Sequence, residues 1–254
     1  MKITVLGSGS AYGTPMIFNQ WVNADRQNAK NQRTRASIFI EEGASKILVD
    51  AGPELRLQIN RQEISDFQAV FLTHGHYDHI GGIPELPRAS KLLGHKLDIY
   101  ASAETLNEIK TCYAYLFKGG EKESVGLCWH EMPDSGEITI ADLKFKVFTV
   151  PHHHLHPSAF RCGDFSYITD WEGLSAEAAK IIDGSKLLLA ECNNGMFPET
   201  NGHSSWPQIV ERLSELKIER KVLGHLSARV DYETFSRQLP TDVTVAYDGM
   251  ELKL

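Results

Sequence analysis

The sequence predicts an α/β protein built as a four-layer αβ/βα sandwich. Short apolar strands alternate with amphipathic helices, and several of the strands end directly in histidine or aspartate. The 254 residues are 42% hydrophobic and 23% charged, which is enough apolar side chain to bury one sizeable core. We therefore expect a single domain over residues 1–254.

The first half of the chain alternates predicted strands and helices. The apolar pattern predicts strands at 2–6, 36–41, 46–49, 69–72 and 96–100, and helices at 53–62, from about 80 to 93, and at 102–116. Pro53 suits a first helical turn, and Ser102 is a candidate N-cap for a helix with Leu106, Ile109 and Tyr113 at helical spacing. Residues 117–132 give no clear pattern.

A long polar segment over residues 16–35 is expected to be a surface loop. It carries a cationic cluster of Lys30, Arg33 and Arg35. The segment is either a solvated connection or a flap that brings positive charge to an anionic substrate.

The second half alternates in the same way. Strands are predicted at 138–150, with a turn at 141–142, and at 165–169, 186–190, 221–224, 243–247 and 251–254. Helices are predicted at 175–182, 205–216 and 231–238. Successive strands with helices between them favour a sheet covered on its outer face.

The most informative motif follows the strand at 69–72. That strand runs directly into His74, His76, Asp78 and His79, which we expect on the loop leaving it. Imidazole and carboxylate ligands without cysteine suit zinc, manganese or iron. A histidine-rich surface turn is the alternative, but it does not account for the H-x-H-x-D-H spacing.

Later strands end in similar side chains. The strand that closes at Val150 is followed by His152, His153 and His154, the next strand ends in Asp170, and the strand at 221–224 ends in His225. Earlier in the chain, the second strand of the hairpin ends in Asp50. We expect Asp50 to orient loop backbone or a ligand histidine, because carboxylates commonly support metal ligands from outside.

The H-x-H-x-D-H spacing and the order of these strand ends resemble the metallo-β-lactamase fold. The resemblance implies one metal held by His74, His76 and His154, a second held by Asp78, His79 and His225, and Asp170 as the bridging carboxylate. His153 is the main rival to His154, because a shift of one position stays open. The implied cofactors are two divalent ions, Mn²⁺ or Zn²⁺, although a single-metal or non-haem iron site is also open.

Over essentially the whole chain the pattern is closest to the PhnP-type phosphodiesterases of that superfamily. It shares the Gly-Ser-Gly-Ser loop at 7–10, the stretch at 31–37, the Asn-Gly-His-Ser stretch at 201–204 and the ending at 247–251. These phosphodiesterases keep a non-ligand histidine at the position of His203. Its implied task is to protonate the leaving oxygen or stabilise the transferring phosphoryl group. We therefore expect His203 and Asp78, the latter also a metal ligand, to be catalytic.

The resemblance implies a dinuclear metal-dependent phosphodiesterase that cleaves a small cyclic ribose phosphate or nucleotide phosphodiester by hydroxide attack. The alternatives are a tRNA 3′-processing endonuclease, a thioester or lactone hydrolase, and a non-catalytic carrier in coenzyme biosynthesis on the same fold. The tRNA nuclease is disfavoured, because the chain shows no arm-like insertion and no excess of positive charge.

Composition bounds the expected partners and location. The formal charge of −7, from 26 Lys+Arg against 33 Asp+Glu, argues against a large nucleic acid partner. The four cysteines form no C-x-x-C pair, and the N-terminal region lacks the features of a signal peptide. We expect a cytoplasmic protein with a small phosphodiester substrate and no membrane partner. A homodimer is an assembly that the sequence leaves open.

Overall fold

The computed structural model describes residues 1–117, 123–124, 126–198 and 202–254. Within these ranges the strands form two mixed sheets. The first contains β1 (Lys2–Gly7), β2 (Ser37–Glu42), β3 (Ser45–Val49), β4 (Ala69–Phe71), β5 (Leu97–Ser102), β6 (Glu123–Ser124), β7 (Leu127–Met132) and, from the end of the chain, the strand Glu251–Lys253. The second contains β8 (Gly136–Ile140), β9 (Leu143–Thr149), β10 (Ser158–Cys162), β11 (Phe165–Ile168), β12 (Leu187–Glu191), β13 (Arg220–Gly224) and β14 (Val243–Val245), so the strand Glu251–Lys253 is β15.

The order of strands in the first sheet is β15-β1-β2-β3-β4-β5-β7-β6, and in the second it is β14-β13-β12-β11-β10-β9-β8. Strands β3, β4, β5 and β7 run parallel to one another, as do β11 to β14. The described α-helices are α1 (Leu55–Arg61), α2 (Tyr77–Ile80), α3 (Leu86–Leu93), α4 (Ala103–Cys112), α5 (Ala176–Ile182), α6 (Trp206–Leu213) and α7 (Tyr232–Ser236).

The main core lies between the two sheets. Phe71 of the first sheet packs against Phe160 of the second, and Phe145 packs on the same ring, each pair with centroids 5.0 Å apart. All three side chains are fully buried. Burial of a phenylalanine stabilises a fold by about 1.5–3 kcal/mol, so this aromatic group helps to hold the sheets face to face.

Helices cover the outer face of each sheet. Leu55, Leu86 and Ile109 of α1, α3 and α4 join the apolar cluster on the first sheet. Ile182 of α5 and Ile209 of α6 join the cluster on the second. The four layers are therefore helix, sheet, sheet and helix, and the α/β sandwich expected from the sequence is confirmed.

The parallel strands bring their carboxyl ends to one edge of the sandwich. Since the ends of parallel strands share an edge, the residues after Phe71, Ile168, Glu191 and Gly224 are brought together. The backbone N–H of Ser158, at the start of β10, donates to the carbonyl of Thr73 at 2.9 Å and ties the two sheets at this edge.

Most predicted elements are present, with three differences. Strands β7 and β10 are not predicted from the sequence. The histidine motif, expected entirely on a loop, instead places Asp78 and His79 in the short helix α2. Asn201 and part of the 117–132 stretch lie outside the described residues. None of the described helices is long and apolar enough to cross a membrane.

Candidate metal centre and the adjoining cleft

Histidines and aspartates from four strand ends converge at the edge where the two sheets meet. His74 and His76 follow β4, Asp78 and His79 lie on α2, and Asp170 and His225 follow β11 and β13. The ligand atoms of Asp78, His79 and His225 lie within 4.8 Å of one another. The same holds for His74, His76 and His152, and for His74, His79 and Asp170.

Asp170 lies between two sets of histidines. One set is His79 and His225, and the other is His74, His76 and His152. One of its carboxylate oxygens, Oδ2, is 3.2 Å from Nε2 of His79 and 3.4 Å from Nε2 of His225. The other, Oδ1, is 3.8 Å from Nε2 of His152. Asp78 Oδ2 lies 3.1 Å from His79 Nε2 and 3.4 Å from His225 Nε2. A carboxylate that faces both sets is placed to bridge two ions.

The register of the third ligand differs from the sequence prediction. The structure places His152 in the cluster, 1% exposed, whereas His154 and His153 are exposed and belong to none of the candidate groups among the described residues. His152 pairs with Leu155 across a tight turn, which directs the following two histidines outward. The assignment of His154 is therefore wrong by two positions.

A contact outside the cluster fixes the tautomer of His152. His152 Nδ1 lies 2.6 Å from the carbonyl oxygen of Gly202, which can only accept, so Nδ1 carries the proton and Nε2 presents its lone pair to the cluster. Gly202 is required here, because its φ is +75° and a Cβ would lie 2.1 Å from Nε2 of His153.

Asp50 fixes the tautomer of His79 in the same way. This is the role of orienting a ligand histidine that the sequence predicts for Asp50. Its carboxylate lies 2.7 Å from His79 Nδ1 and accepts from the backbone N–H and the hydroxyl of Thr73. Asp50 is fully buried and does not join the ligand groups of the described residues. It therefore orients His79 and the start of the motif together.

The atom that most directly indicates a bound cation is Nε2 of His79. It is buried and has no hydrogen-bond partner among the described residues, although the carboxylates of Asp78 and Asp170 lie close to it. Burial disfavours an imidazolium, yet Asp78, Asp50 and Asp170 outweigh it and raise the pKa of His79 well above its usual value. The cluster thus favours positive charge at this atom, and a divalent metal would supply it, because the donor set is one that zinc or manganese accepts.

The backbone at three of these residues is strained. Asp50, Asp170 and His225 have φ values of 62°, 45° and 52°, in the left-handed region that non-glycine residues seldom adopt. Such conformations cost on the order of 1–3 kcal/mol each and persist where a site requires them. Here each one turns a side chain sharply toward the cluster at the end of its strand.

His203 lies beside the cluster with a buried glutamate behind it. Its Nδ1 is 3.6 Å from a carboxylate oxygen of Asp170 and 3.6 Å from one of Glu191. Burial lowers the pKa of His203 to about 4, and burial raises the pKa of Glu191 to about 8. At neutral pH the imidazole of His203 is therefore neutral. It also falls in two candidate ligand groups, so geometry alone leaves it able to bind metal.

A cleft of about 480 Å³ opens next to His203. Its described lining contains no aspartate or glutamate and consists of Ser10, Ala11, Tyr12, Met16, Val22, His153, Asn193, Asn194, His203, Ser227, Ala228 and Arg229. This volume falls in the range of small-molecule sites, roughly 300–1,000 Å³. The chain as a whole carries a formal charge of −7, so a lining without carboxylates favours an anionic ligand.

The cations of the 16–35 segment do not reach this cleft. Arg33 is 3% exposed and donates to the carbonyl of Ser227 and to Asn31. Lys30 lies over the ring of Tyr232 at 4.3 Å, and Arg35 pairs with Glu54. The flap that would bring positive charge to a substrate is therefore wrong for these three residues, which anchor the segment to the body of the protein.

Several residues at the site are not predicted from the sequence. Glu191 directly follows a predicted strand, as Asp170 does, and this position at a strand end could have indicated a site residue. The cleft residues Asn193, Asn194 and Arg229 carry no local pattern that distinguishes them from ordinary loop residues.

The fold and the site together define an α/β sandwich with a cluster of histidines and aspartates at its strand ends that could hold metal. The chain belongs to the β-lactamase superfamily, whose domain matches residues 45–226. The resemblance to PhnP-type members is also confirmed. A solved structure described as a new diphosphatase from the PhnP family covers 100% of this chain and 97% of its own, with a TM-score of 0.89 and 25% identity.

Two relatives extend this comparison. An octanoyltransferase of Porphyromonas gingivalis is 27% identical over 99% of this chain, and the chain spans about half of that protein's length, 51%. The exodeoxyribonuclease WalJ of Streptococcus pneumoniae is 27% identical over 84% of the chain and 76% of its own length. The chain is therefore a member of the metallo-β-lactamase fold, and its histidine and aspartate clusters could hold metal.

Proposed function

We propose that the chain is a dinuclear metal-dependent phosphodiesterase that cleaves a small phosphodiester, such as a cyclic ribose phosphate or a nucleotide ester. The observation that carries the proposal is the position of Asp170, whose two oxygens face the two sets of histidines. The likeness to a diphosphatase of the PhnP family and to an exodeoxyribonuclease supports phosphoryl chemistry.

In this proposal His74, His76 and His152 would hold one ion and Asp78, His79 and His225 the other, with Asp170 available to both. Zn²⁺ or Mn²⁺ would suit these imidazole and carboxylate donors. When bound, a pair of divalent ions supplies Lewis acidity, which acidifies water and offsets charge on a phosphoryl group.

His203 is the proposed proton donor on the leaving side. The resting imidazole is neutral, because burial lowers its pKa to about 4. An anionic phosphodiester beside it favours the protonated form, since an opposite charge at short range stabilises imidazolium. Asp170 and Glu191 face Nδ1, which leaves Nε2 as the nitrogen available to a substrate in the cleft.

The test is a substrate panel on metal-loaded protein: bis(p-nitrophenyl) phosphate, a 2′,3′-cyclic nucleotide, p-nitrophenyl phosphate, a thioester and a lactone. We expect both diesters to turn over faster than the monoester, whose dianion would bind the centre too tightly for rapid release. Asp170→Ala should abolish turnover. Asp66→Ala is a matched control, because Asp66 is a partly exposed aspartate paired with His95 away from the cluster. Faster turnover of the monoester, the thioester or the lactone would contradict the proposal.

A second candidate is an acyl thioester hydrolase that uses the same residues. It is favoured by the octanoyltransferase relative, which matches nearly the whole chain. The same panel separates the two, because an octanoyl thioester would then be the preferred substrate and diesters would turn over poorly.

The proposal also covers the partners, the assembly and the location of the protein. We keep a small diester as the substrate, no membrane or large nucleic acid partner, and a homodimer as an assembly to be measured. A cytoplasmic location fits the four cysteines, which all lie in the described residues and form no disulfide there.

A further inference from the structure

Part of the lining of the cleft is apolar and exposed. Tyr12, Met16 and Val22 form this apolar wall, and Tyr12 and Val22 are 72% and 55% exposed. Ile17 and Phe18, in the same turn, are 77% and 85% exposed. Large apolar side chains gathered on a surface beside a site commonly mark a contact for a ligand or a partner.

The backbone that carries this wall is fixed by hydrogen bonds. Gly13 N–H donates to Ser10 at 2.8 Å, and Thr14 exchanges two backbone hydrogen bonds of 2.8 Å with Arg33. Ala24 N–H donates at 3.1 Å to the carbonyl of Ala228, a residue that also lines the cleft. The exposed ring of Tyr12 is thus displayed on an anchored segment, so little ordering entropy opposes the stacking of a ligand on it.

The same cleft also has polar lining. Asn193, Asn194 and Ser227 line it together with His203 and Arg229. A planar heteroaromatic ring would stack its face on Tyr12 and meet polar side chains with its edges. An acyl chain would place only apolar surface against these polar side chains.

A strained residue lies in the same wall. Val22 has a φ of 53°, a conformation that is a genuine outlier for a β-branched side chain. Phe18 shares the left-handed region, with a φ of 59°. Strain of this kind is retained where the displayed side chains serve a site.

We infer that Tyr12, with Met16 and Val22 beside it, forms a subsite for the nucleobase of the substrate, so that the substrate class is a nucleotide diester rather than a base-free sugar phosphate. This inference rests on the proposed phosphodiesterase activity, and it makes Tyr12 a specificity determinant. Stacking of a base on an aromatic side chain changes affinity by about 5- to 150-fold.

The test uses two diesters with the same leaving group, p-nitrophenyl thymidine 5′-phosphate and methyl p-nitrophenyl phosphate. Tyr12→Ala should lower kcat/KM for the thymidine ester by about 5- to 150-fold and leave the methyl ester unchanged. Tyr12→Phe should behave as wild type, because the ring is retained. Tyr115→Ala is the matched control, since Tyr115 is also an exposed tyrosine, 53% accessible, and does not line the cleft.

Three results would overturn the subsite. They are equal losses of kcat/KM on both esters, no loss on either ester, and a loss in Tyr12→Phe as large as in Tyr12→Ala. Calorimetric binding of thymidine 5′-phosphate and methyl phosphate to metal-loaded wild type and Tyr12→Ala gives a readout without turnover. If wild type cleaves neither ester, the phosphodiesterase proposal fails, and this binding comparison alone decides the subsite. Sedimentation of both proteins completes the test, because a dimer that Tyr12→Ala dissociates would assign the wall to a second copy of the chain and reject the base.

Discussion

The replacement of His152 by alanine should remove one of the four proposed ligands of the first ion, while the same change at His154 should remove none. Four-ligand structural zinc sites bind with about 10–16 kcal/mol at neutral pH, or about 3 kcal/mol for each ligand. Since about 1.4 kcal/mol corresponds to a factor of ten, His152→Ala should weaken binding of that ion by about 100-fold. The loss of the hydrogen bond from Nδ1 to the carbonyl of Gly202 adds to this cost.

The assay is competition for Zn²⁺ between the metal-free protein and a chromophoric chelator. His154→Ala is the matched control, because it removes an identical side chain two residues away that is exposed and outside the cluster. A large loss in His154→Ala together with near-normal binding in His152→Ala would refute the register seen in the structure. Circular dichroism of both variants separates loss of a ligand from loss of the fold.

Two further predictions concern residues at the metal centre, and a third concerns Asp231, the N-cap of α7. Asp50→Asn should weaken metal binding by about 10- to 100-fold in the same competition assay, although Asp50 touches no ligand atom except through His79; unchanged affinity would reject its orienting role. His203→Ala should retain both ions by elemental analysis and lose about 10²–10⁴-fold against an alkyl diester but less against bis(p-nitrophenyl) phosphate, whereas loss of an ion would make His203 a ligand. Hydrogen bonds from Thr234, Asn31 and Asp25 overcome burial and lower the pKa of Asp231 from 3.8 to about 2, so its contribution to stability is present above pH 4 and is lost as the pH falls through 2. Wild type should therefore exceed Asp231→Asn in free energy of unfolding at pH 6, with the gap closing toward pH 2, and a gap that widens in acid would contradict this.

The parts of the site that could be predicted from sequence are those encoded locally. His74, His76, Asp78 and His79 lie within six residues, and their spacing alone indicates a metal. Asp170 and His225 each follow a short apolar run, so the end of a strand could be read directly. Both positions agree with the structure, in which each residue lies just after its strand and a left-handed backbone turns its side chain toward the cluster.

The register at residues 152–154 could not be predicted, because three successive histidines satisfy the same local pattern. The choice depends on the turn in which His152 pairs with Leu155 and on the carbonyl of Gly202, which is distant in sequence. Strand β10 was missed for a related reason. Its residues Ser158–Cys162 pair with β9 and β11 on both sides, but serine, alanine and arginine obscure their apolar character.

The role of the cationic cluster in the 16–35 segment also depends on partners that are distant in sequence. In sequence Lys30, Arg33 and Arg35 resemble a positively charged flap. Arg33 instead reaches the carbonyl of Ser227, 194 residues away, and Lys30 reaches the hydroxyl of Tyr232, 202 residues away. Partners at such separations are set by topology, so the role of these cations became clear only from the folded chain.

The central claim is that turnover of a phosphodiester requires two ions held by the Asp170 cluster. The most direct test is to strip the protein with a chelator, return Zn²⁺ or Mn²⁺ stepwise, and follow hydrolysis of bis(p-nitrophenyl) phosphate against metal content per chain. We predict no turnover without metal and a rise to full activity only as the second equivalent binds. Full activity at one equivalent, or none at two, would contradict a dinuclear phosphodiesterase.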